Sequence, residues 1–155
     1  MNCNEAARVV CQEIEPKMEV AKNVEFSQEG IEYKLLPSKS GTMEKAKNTC
    51  AGYDMILYEP RNSSSYDFVI RKALDQGMSR IWLNMGREDP DSPFHYLSNK
   101  SEPLQWKNWA TYEPNNHENQ GENCVQTHWH LPWQTLWMDI VCVSDGNIIC
   151  QSNVQ

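Results

Sequence analysis

The reading of the fold turns on one stretch: Gly86-Arg87-Glu88-Asp89-Pro90, onward through Trp106-Lys107-Asn108-Trp109 and Tyr112-Glu113-Pro114-Asn115-Asn116-His117, to Gly121-Glu122-Asn123. It carries four prolines (Pro90, Pro93, Pro103, Pro114), many Asn and Glu, and little helical or alternating periodicity. Loops beyond about 15 residues with no structure of their own are uncommon in compact domains, and are usually functional or disordered. Phe94, Tyr96, Trp106, Trp109 and Tyr112 are too aromatic to leave in water, which argues against disorder. A long loop anchored by aromatics and rich in carboxylates and amides is one that a metal ion can fix.

Working outward, the flanks are periodic. Upstream, Ile31–Leu36 reads as a strand. Met43, Ala46, Cys50 and Tyr53 recur at helical spacing, with Gly52 near the natural stop. A second helix is clearer. Ser64-Ser65-Tyr66-Asp67 has capping-box spacing, Tyr66, Val69, Ile70, Ala73 and Leu74 form one apolar stripe, and Gly77 closes it. Ser79–Met85 is β-rich. Downstream of the loop, Cys124–His130, Leu136–Cys142 and Asn147–Gln151 return to strands. Both helices precede most of the sheet, which is an α+β order. Residues 1–22 differ: polar, with Cys3 and Cys11, and a loose apolar spacing (Val10, Ile14, Met18, Ala21) broken by Pro16, they suggest a short arm with little core of its own. The expected organisation is an arm over 1–22 and one domain over 23–155.

Composition narrows the function classes. The chain has 155 residues, with 14 Lys+Arg against 21 Asp+Glu, a net charge of −7. An acidic balance argues against nucleic acid, whose phosphates call for a basic face. No apolar run approaches the roughly 18 residues of a membrane span. The 6 cysteines form no CxxC pair, and their wide spacing fits disulfides and an oxidising compartment. Asn62-Ser63-Ser64 and Asn99-Lys100-Ser101 read as N-glycosylation acceptors and point the same way. Met1 is followed by Asn-Cys-Asn-Glu-Ala, not an apolar leader, so the expectation is a mature secreted chain with an added Met1. A cytosolic protein with reduced thiols is the alternative.

Four signatures carry a resemblance: Glu113-Pro114-Asn115 in the long loop, Trp137-Met138-Asp139 before Cys142, Trp82-Leu83-Asn84-Met85, and the frame Cys50, Cys124, Cys142, Cys150. In this order and spacing, from about Val24 to Gln151, the chain resembles the C-type lectin-like domain family. Glu-Pro-Asn-Asn-His, with Pro60-Arg61-Asn62 opening the second helix, is similar to its mannose-binding branch. The resemblance implies a C-type lectin-like fold, with two helices, small antiparallel sheets and a long calcium-binding loop. It also implies Cys50–Cys150 and Cys124–Cys142 disulfides, which composition could not choose among the pairings open to 6 cysteines.

The resemblance further implies that Ca²⁺ is held by Glu113, Asn115, Glu122 and Asp139 and takes two neighbouring hydroxyls of a monosaccharide. All four side chains offer the oxygens that a hard cation needs. Pro114 resembles the family's cis proline, the one kind of peptide bond that turns cis at low cost. Glu113, Asn115 and Glu122 would also read the sugar, with His117 a further contact or simply an exposed loop histidine. A carboxylate only accepts hydrogen bonds while an amide also donates, so Glu-then-Asn sets an order that in the family favours mannose, glucose, fucose and N-acetylglucosamine. The galactose-type members carry Gln-Pro-Asp.

Departures from the family pattern keep a second reading open. Met138 stands where the family's strand has Asn, and a thioether replaces neither a calcium oxygen nor a hydrogen bond to sugar. Asn116 and Asn123 stand where relatives with an auxiliary Ca²⁺ often have carboxylates, and the loop between Glu113 and Cys124 is a residue longer than in a relative. A lectin-like domain with a degenerate calcium site that binds a protein partner is therefore the alternative to a sugar-binding lectin. His128-Trp129-His130, on a strand, would place both imidazoles on one side, where with His117 they could ligate Zn²⁺ or Cu²⁺; a polar strand face is the plainer account. No phosphate loop, nucleophile elbow or HExxH helix is present, so an enzyme is not expected. One exposed sugar makes few contacts, so useful avidity calls for several copies. Cys3 and Cys11 would lie about 12 Å apart along a helical arm, beyond the roughly 7 Å a disulfide allows, so a helical arm implies covalent homo-oligomers. A non-helical arm would close the pair internally.

Overall fold

A computed structural model describes residues 22–131 and 134–153. Residues 1–21 of the arm, with Cys3 and Cys11, lie outside the described residues, as does Trp133. The first strand the sequence pattern hid is β1 (Val24–Gln28), which pairs antiparallel with β2 (Ile31–Gly41) through Glu29-Gly30. Both turn residues have positive φ, +52° and +80°, as a tight hairpin turn matched to strand twist demands. β2 is bulged between Leu36 and Ser40, where Pro37 could not donate to the ladder.

α1 (Met43–Ala51) starts on Thr42, whose hydroxyl oxygen accepts from Lys45 N at 3.2 Å, and buries Met43, Ala46 and Cys50. β3 (Ile56–Leu57) follows. α2 spans Ser63–Asp75 and buries the expected Tyr66, Val69, Ile70 and Ala73. Its cap is not at Ser64, as the capping-box spacing suggests. Asn62 is extended (φ −154°, ψ 161°), and its side-chain oxygen accepts from Ser65 N at 2.9 Å, so the helix begins earlier. Asn62→Ala should cost about 1 kcal/mol, read as a lowered urea midpoint at unchanged slope.

The remaining strands are β4 (Trp82–Gly86), β5 (His95–Tyr96), β6 (Cys124–Thr127), β7 (Trp137–Ile140) and β8 (Gly146–Gln151). They complete two four-stranded sheets, ordered β1-β2-β8-β3 and β5-β4-β6-β7. β6 stops at Thr127, three residues short of the sequence expectation. His128, Trp129 and His130 therefore lie in a turn, and strand alternation does not set the direction of their imidazoles. The His128 and His130 rings meet edge to face at 5.7 Å, and Trp129 tilts over His130 at 3.6 Å.

Two apolar clusters hold these layers. One joins α2 to Leu83, Val125, Trp137 and Ile149; the other joins α1 to Leu57, Trp82, Ile148 and the disulfides. Cys50 bonds Cys150 and Cys124 bonds Cys142, the pairing that the resemblance implies. The long loop is more structured than its composition suggests. Trp106 and Trp109 pack on the fully buried Trp137 with ring centres 5.2 and 5.7 Å away, and Phe94 packs on Trp109 at 5.0 Å. Its start is clamped by a buried carboxylate. Glu59 accepts from Asn84 Nδ2 (2.7 Å), Ser98 N (2.9 Å), Ser98 Oγ (2.7 Å) and Arg61 Nη2 (3.0 Å). With four donors, one of them an arginine, this buried charge is satisfied, which is the condition under which burial is tolerated.

Candidate functional site

The far end of the loop is built on β7. Trp137 N donates to Asn108 O, and Ala110 N donates back to Trp137 O, each at 2.9 Å, so the chain enters the site alongside the strand. Glu113 N closes a turn on Ala110 O at 3.0 Å, and the Glu113–Pro114 bond is cis. Past it the backbone is left-handed at Asn116, Glu118 and Asn119 (φ +43°, +52° and +54°), around a short 3-10 turn over His117–Asn119. Asn116 secures this tip: its Oδ1 accepts from Gly121 N (3.0 Å) and Glu122 N (2.9 Å).

Asp139, Glu122 and Glu113 converge there. Asp139 sits mid-strand opposite Val125 and is fully buried. Its Oδ1 accepts from Asn115 N at 2.9 Å; its Oδ2 accepts from Asn116 N at 2.8 Å and from Arg87 Nη2 at 3.2 Å. Glu122, also buried, accepts from His117 N at 2.6 Å, and Asn115 Oδ1 accepts from the same N–H at 3.0 Å. Glu113 is the strained member. Its Oε1 is buried without a hydrogen-bond partner. Burial first, then the neighbouring Asp139, then Glu122, push its carboxyl up to about 8. Glu122 is also raised, by burial foremost and by Asp139, against the lowering effect of the His117 N–H. Carboxylates crowded out of water disfavour one another's ionisation, and an added cation relieves that repulsion.

Glu113, Asn115, Glu122 and Asp139 thus form one connected group with the backbone of His117. The His117 side chain is 62% exposed and its Nε2 lies 3.4 Å from Glu118, so the ring is an exposed loop group. Met138 stays out of this cluster. It packs, partly buried, against the apolar cluster under α1, so a thioether at this position serves packing. Asn123 does not join the carboxylates through a side-chain hydrogen bond: its Oδ1 is buried and unpartnered, while its backbone carbonyl takes Arg87 N at 3.1 Å. Arg87, which the sequence pattern did not single out, is part of the site.

The group fits a hard divalent cation in donor chemistry, and the unpartnered Glu113 Oε1 is the observation that supports the fit. Among the described residues, however, no three His, Cys, Asp or Glu side chains stand together in a metal-holding arrangement. Both Asp139 oxygens instead face backbone N–H groups and Arg87, and Glu122 faces His117 N. A cavity of about 630 Å³ lies beside the group, lined by Met43, Arg87, Leu97, Asn123 and Val143 among others, and none of the four oxygen donors lines it.

Comparisons with known proteins agree with this architecture. Residues 39–152 match the Lectin C-type domain. Pulmonary surfactant-associated protein D of Bos taurus is 30% identical over 110 residues, covering 71% of this chain and 28% of that protein. Mannose-binding protein of Gallus gallus is 31% identical over 107 residues, covering 68% and 38% respectively. The chain therefore spans only about a third of the length of the curated relatives it matches. The mouse scavenger receptor C-type lectin carbohydrate-recognition domain superposes with a TM-score of 0.70 at 19% identity, covering 84% of this chain and 94% of that one. No helix among the described residues is long and apolar enough to cross a membrane. With a domain pattern covering most of its length, a lectin-type frame of two disulfides and the α+β architecture of the solved neighbours, the chain belongs to the C-type lectin domain family, a family of non-enzymatic carbohydrate-binding domains.

Proposed function

We propose that this domain is a secreted, calcium-dependent lectin that binds mannose-type sugars (mannose, fucose, glucose, N-acetylglucosamine), with Glu113, Asn115, Glu122 and Asp139 as the calcium ligands. The observation that supports it is Glu113: a buried carboxylate oxygen without a partner, next to two further acidic groups, is costly unless a cation serves it. Calcium, when bound, supplies a hard ion whose flexible shell of 6–8 oxygens can be completed by two sugar hydroxyls. The protein's own part is orientation. Glu113 and Glu122 accept hydrogen bonds from hydroxyls, Asn115 both donates and accepts, and Asn116 keeps the tip closed around them. One monosaccharide makes few contacts, so affinity per site is weak, and the reading includes a homo-oligomer, disulfide-linked through Cys3 or Cys11, displaying several sites.

The test is calorimetry with Ca²⁺, then with mannose, fucose and galactose. Expected are calcium uptake and heat with mannose and fucose but not galactose, with EDTA releasing the protein from mannan resin. Mannan binding that survives EDTA would contradict the reading.

Acidity supplies a second check. The Glu113 pKa of about 8 in the folded state lies above its ordinary value of 4.5, so the folded protein holds the proton more tightly. Metal-free stability is then greatest below about pH 4.5 as far as this group is concerned, and is lost as pH rises toward 8. Calcium needs the carboxylate, so its affinity runs the opposite way and tightens from pH 6 to pH 8. Melting temperatures in EDTA that fall from pH 5 to pH 8.5 in the wild type, and fall less in Glu113→Gln, where Glu122 alone stays raised, would show the first effect. Titration with CaCl₂ at pH 6 and pH 8 reads the second.

A protein-binding reading without calcium has one observation in its favour: Asp139 is already fully hydrogen-bonded by the protein. Calcium uptake with no sugar heat would favour it.

A further inference from the structure

We infer that Arg87 is the resident cation of the carboxylate cluster and keeps the long loop ordered when no metal is bound. The residue follows β4, where the loop begins, and its own N–H donates to Asn123 O at the loop's end, 3.1 Å away. From there the side chain runs inward and is only 8% exposed. Nη2 donates to Glu122 O at 2.9 Å and to Asp139 Oδ2 at 3.2 Å. Nη1 donates to Pro90 O at 3.3 Å, and the guanidinium carbon lies 4.4 Å from the Phe94 ring centre.

One side chain therefore joins the first residues of the loop (Pro90, Phe94), its end (Glu122) and the strand behind it (Asp139), while the backbone N–H of the same residue holds Asn123. Phe94 carries the tie further, because it packs on Trp109, which packs on Trp137. A planar fork can serve several acceptors at once, whereas an ammonium is a point charge. The charge matters as much as the fork. Glu113, Glu122 and Asp139 repel one another when ionised, and Arg87 is the only cation within salt-bridge distance of any of them among the described residues. It supplies from within the fold part of what a bound metal would supply from outside. This rests on the calcium reading only for the rescue described next; loop order in the absence of metal does not depend on it.

Arg87→Met keeps much of the side chain's bulk and removes the charge and the fork. The experiment is limited proteolysis with a Glu-specific protease, in EDTA and then in CaCl₂, with the cuts mapped by mass spectrometry. Glu88, Glu118 and Glu122, none of them followed by proline, report on the loop. In EDTA, wild type should be protected in the loop, and Arg87→Met should be cut at least tenfold faster there. Calcium should return the variant to within about twofold of wild type while changing wild type little. Arg87→Lys, which keeps the charge without the fork, should fall between them, and it decides the matter if the methionine variant does not fold.

Equal cutting of wild type and Arg87→Met in EDTA would overturn the inference. So would faster cutting that calcium fails to restore while calorimetry shows calcium bound, since Arg87 would then be a packing residue and not the cluster's cation. If calorimetry shows no calcium uptake by either protein, the calcium reading falls. Faster loop cutting of the variant in EDTA then still upholds Arg87 as the cation of the loop.

Discussion

Replacing Asp139 with alanine should destabilise the metal-free domain by about 3–5 kcal/mol, the cost typical of breaking a buried ion pair from one side. The carboxylate is fully buried, and it accepts from Asn115 N, Asn116 N and Arg87. Its loss leaves an arginine 8% exposed with no opposite charge, and two loop amides with no acceptor. Each unsatisfied amide that stays out of water adds about 1–3 kcal/mol unless the tip rearranges to reach solvent. Urea unfolding in EDTA is the measurement, because it removes any contribution of calcium. Asp139→Asn, which keeps an acceptor but not the charge, should cost less. An Asp139→Ala midpoint equal to wild type in EDTA would mean that the network contributes nothing to the fold, and that Asp139 matters only to a bound ion.

That network also marks where the sequence stops being legible. α2 could be read because Tyr66, Val69, Ile70 and Ala73 repeat at the helical period, and all four are buried. Its cap was misplaced because Asn62 and Ser64 are both good capping residues, and only backbone geometry separates them. β1 and β3 were hidden for different reasons. Val24–Gln28 alternates over only five residues, none of them fully buried, and Ile56–Leu57 is too short to show a period. The oxygen-bearing side chains were legible as motif residues, since Glu113, Asn115, Glu122 and Asp139 belong to recognisable local patterns. Arg87 was not. Its acceptors stand 35 and 52 residues away, on Glu122 and Asp139, and no local spacing announces a contact across the sheet. The reading of His128-Trp129-His130 failed on a boundary: the alternation argument needs a strand, and the strand ends at Thr127. Met138 shows the reverse case. Its chemistry alone said that it is a poor ligand, and the fold adds that the side chain is used for packing.

Of the two disulfides, Cys50–Cys150 should have the larger effect on stability when removed. The bond closes a separation of 100 residues and ties the last turn of α1 to β8, the strand that pairs with both β2 and β3. On the chain-entropy model a loop of that length is worth about 4–5 kcal/mol, against about 3 kcal/mol for the 18-residue separation of Cys124–Cys142. Domains are commonly stable by only about 5–15 kcal/mol, so the first loss consumes a large part of the total. Both sulfurs lie in the fully buried cluster under α1, so alanine at both positions adds a small cavity term and exposes no polar group. With a urea slope of about 1.5–2 kcal/mol/M, Cys50→Ala/Cys150→Ala should lower the midpoint by about 2–3 M, or unfold the domain outright at 37 °C. Cys124→Ala/Cys142→Ala should lower the midpoint less but disturb the loop more. That bond ties Cys124, the first residue of β6, to Cys142, two residues past β7, and so braces the strand pair that carries Asp139 and that the chain enters just after Glu122. Equal midpoint shifts in the two double variants would refute the loop-length argument, because the same number of bonds would then count equally whatever chain they close. The difference, if found, separates two duties that the frame divides: one disulfide holds the domain together, and the other keeps the register of the strands on which the carboxylate cluster is built.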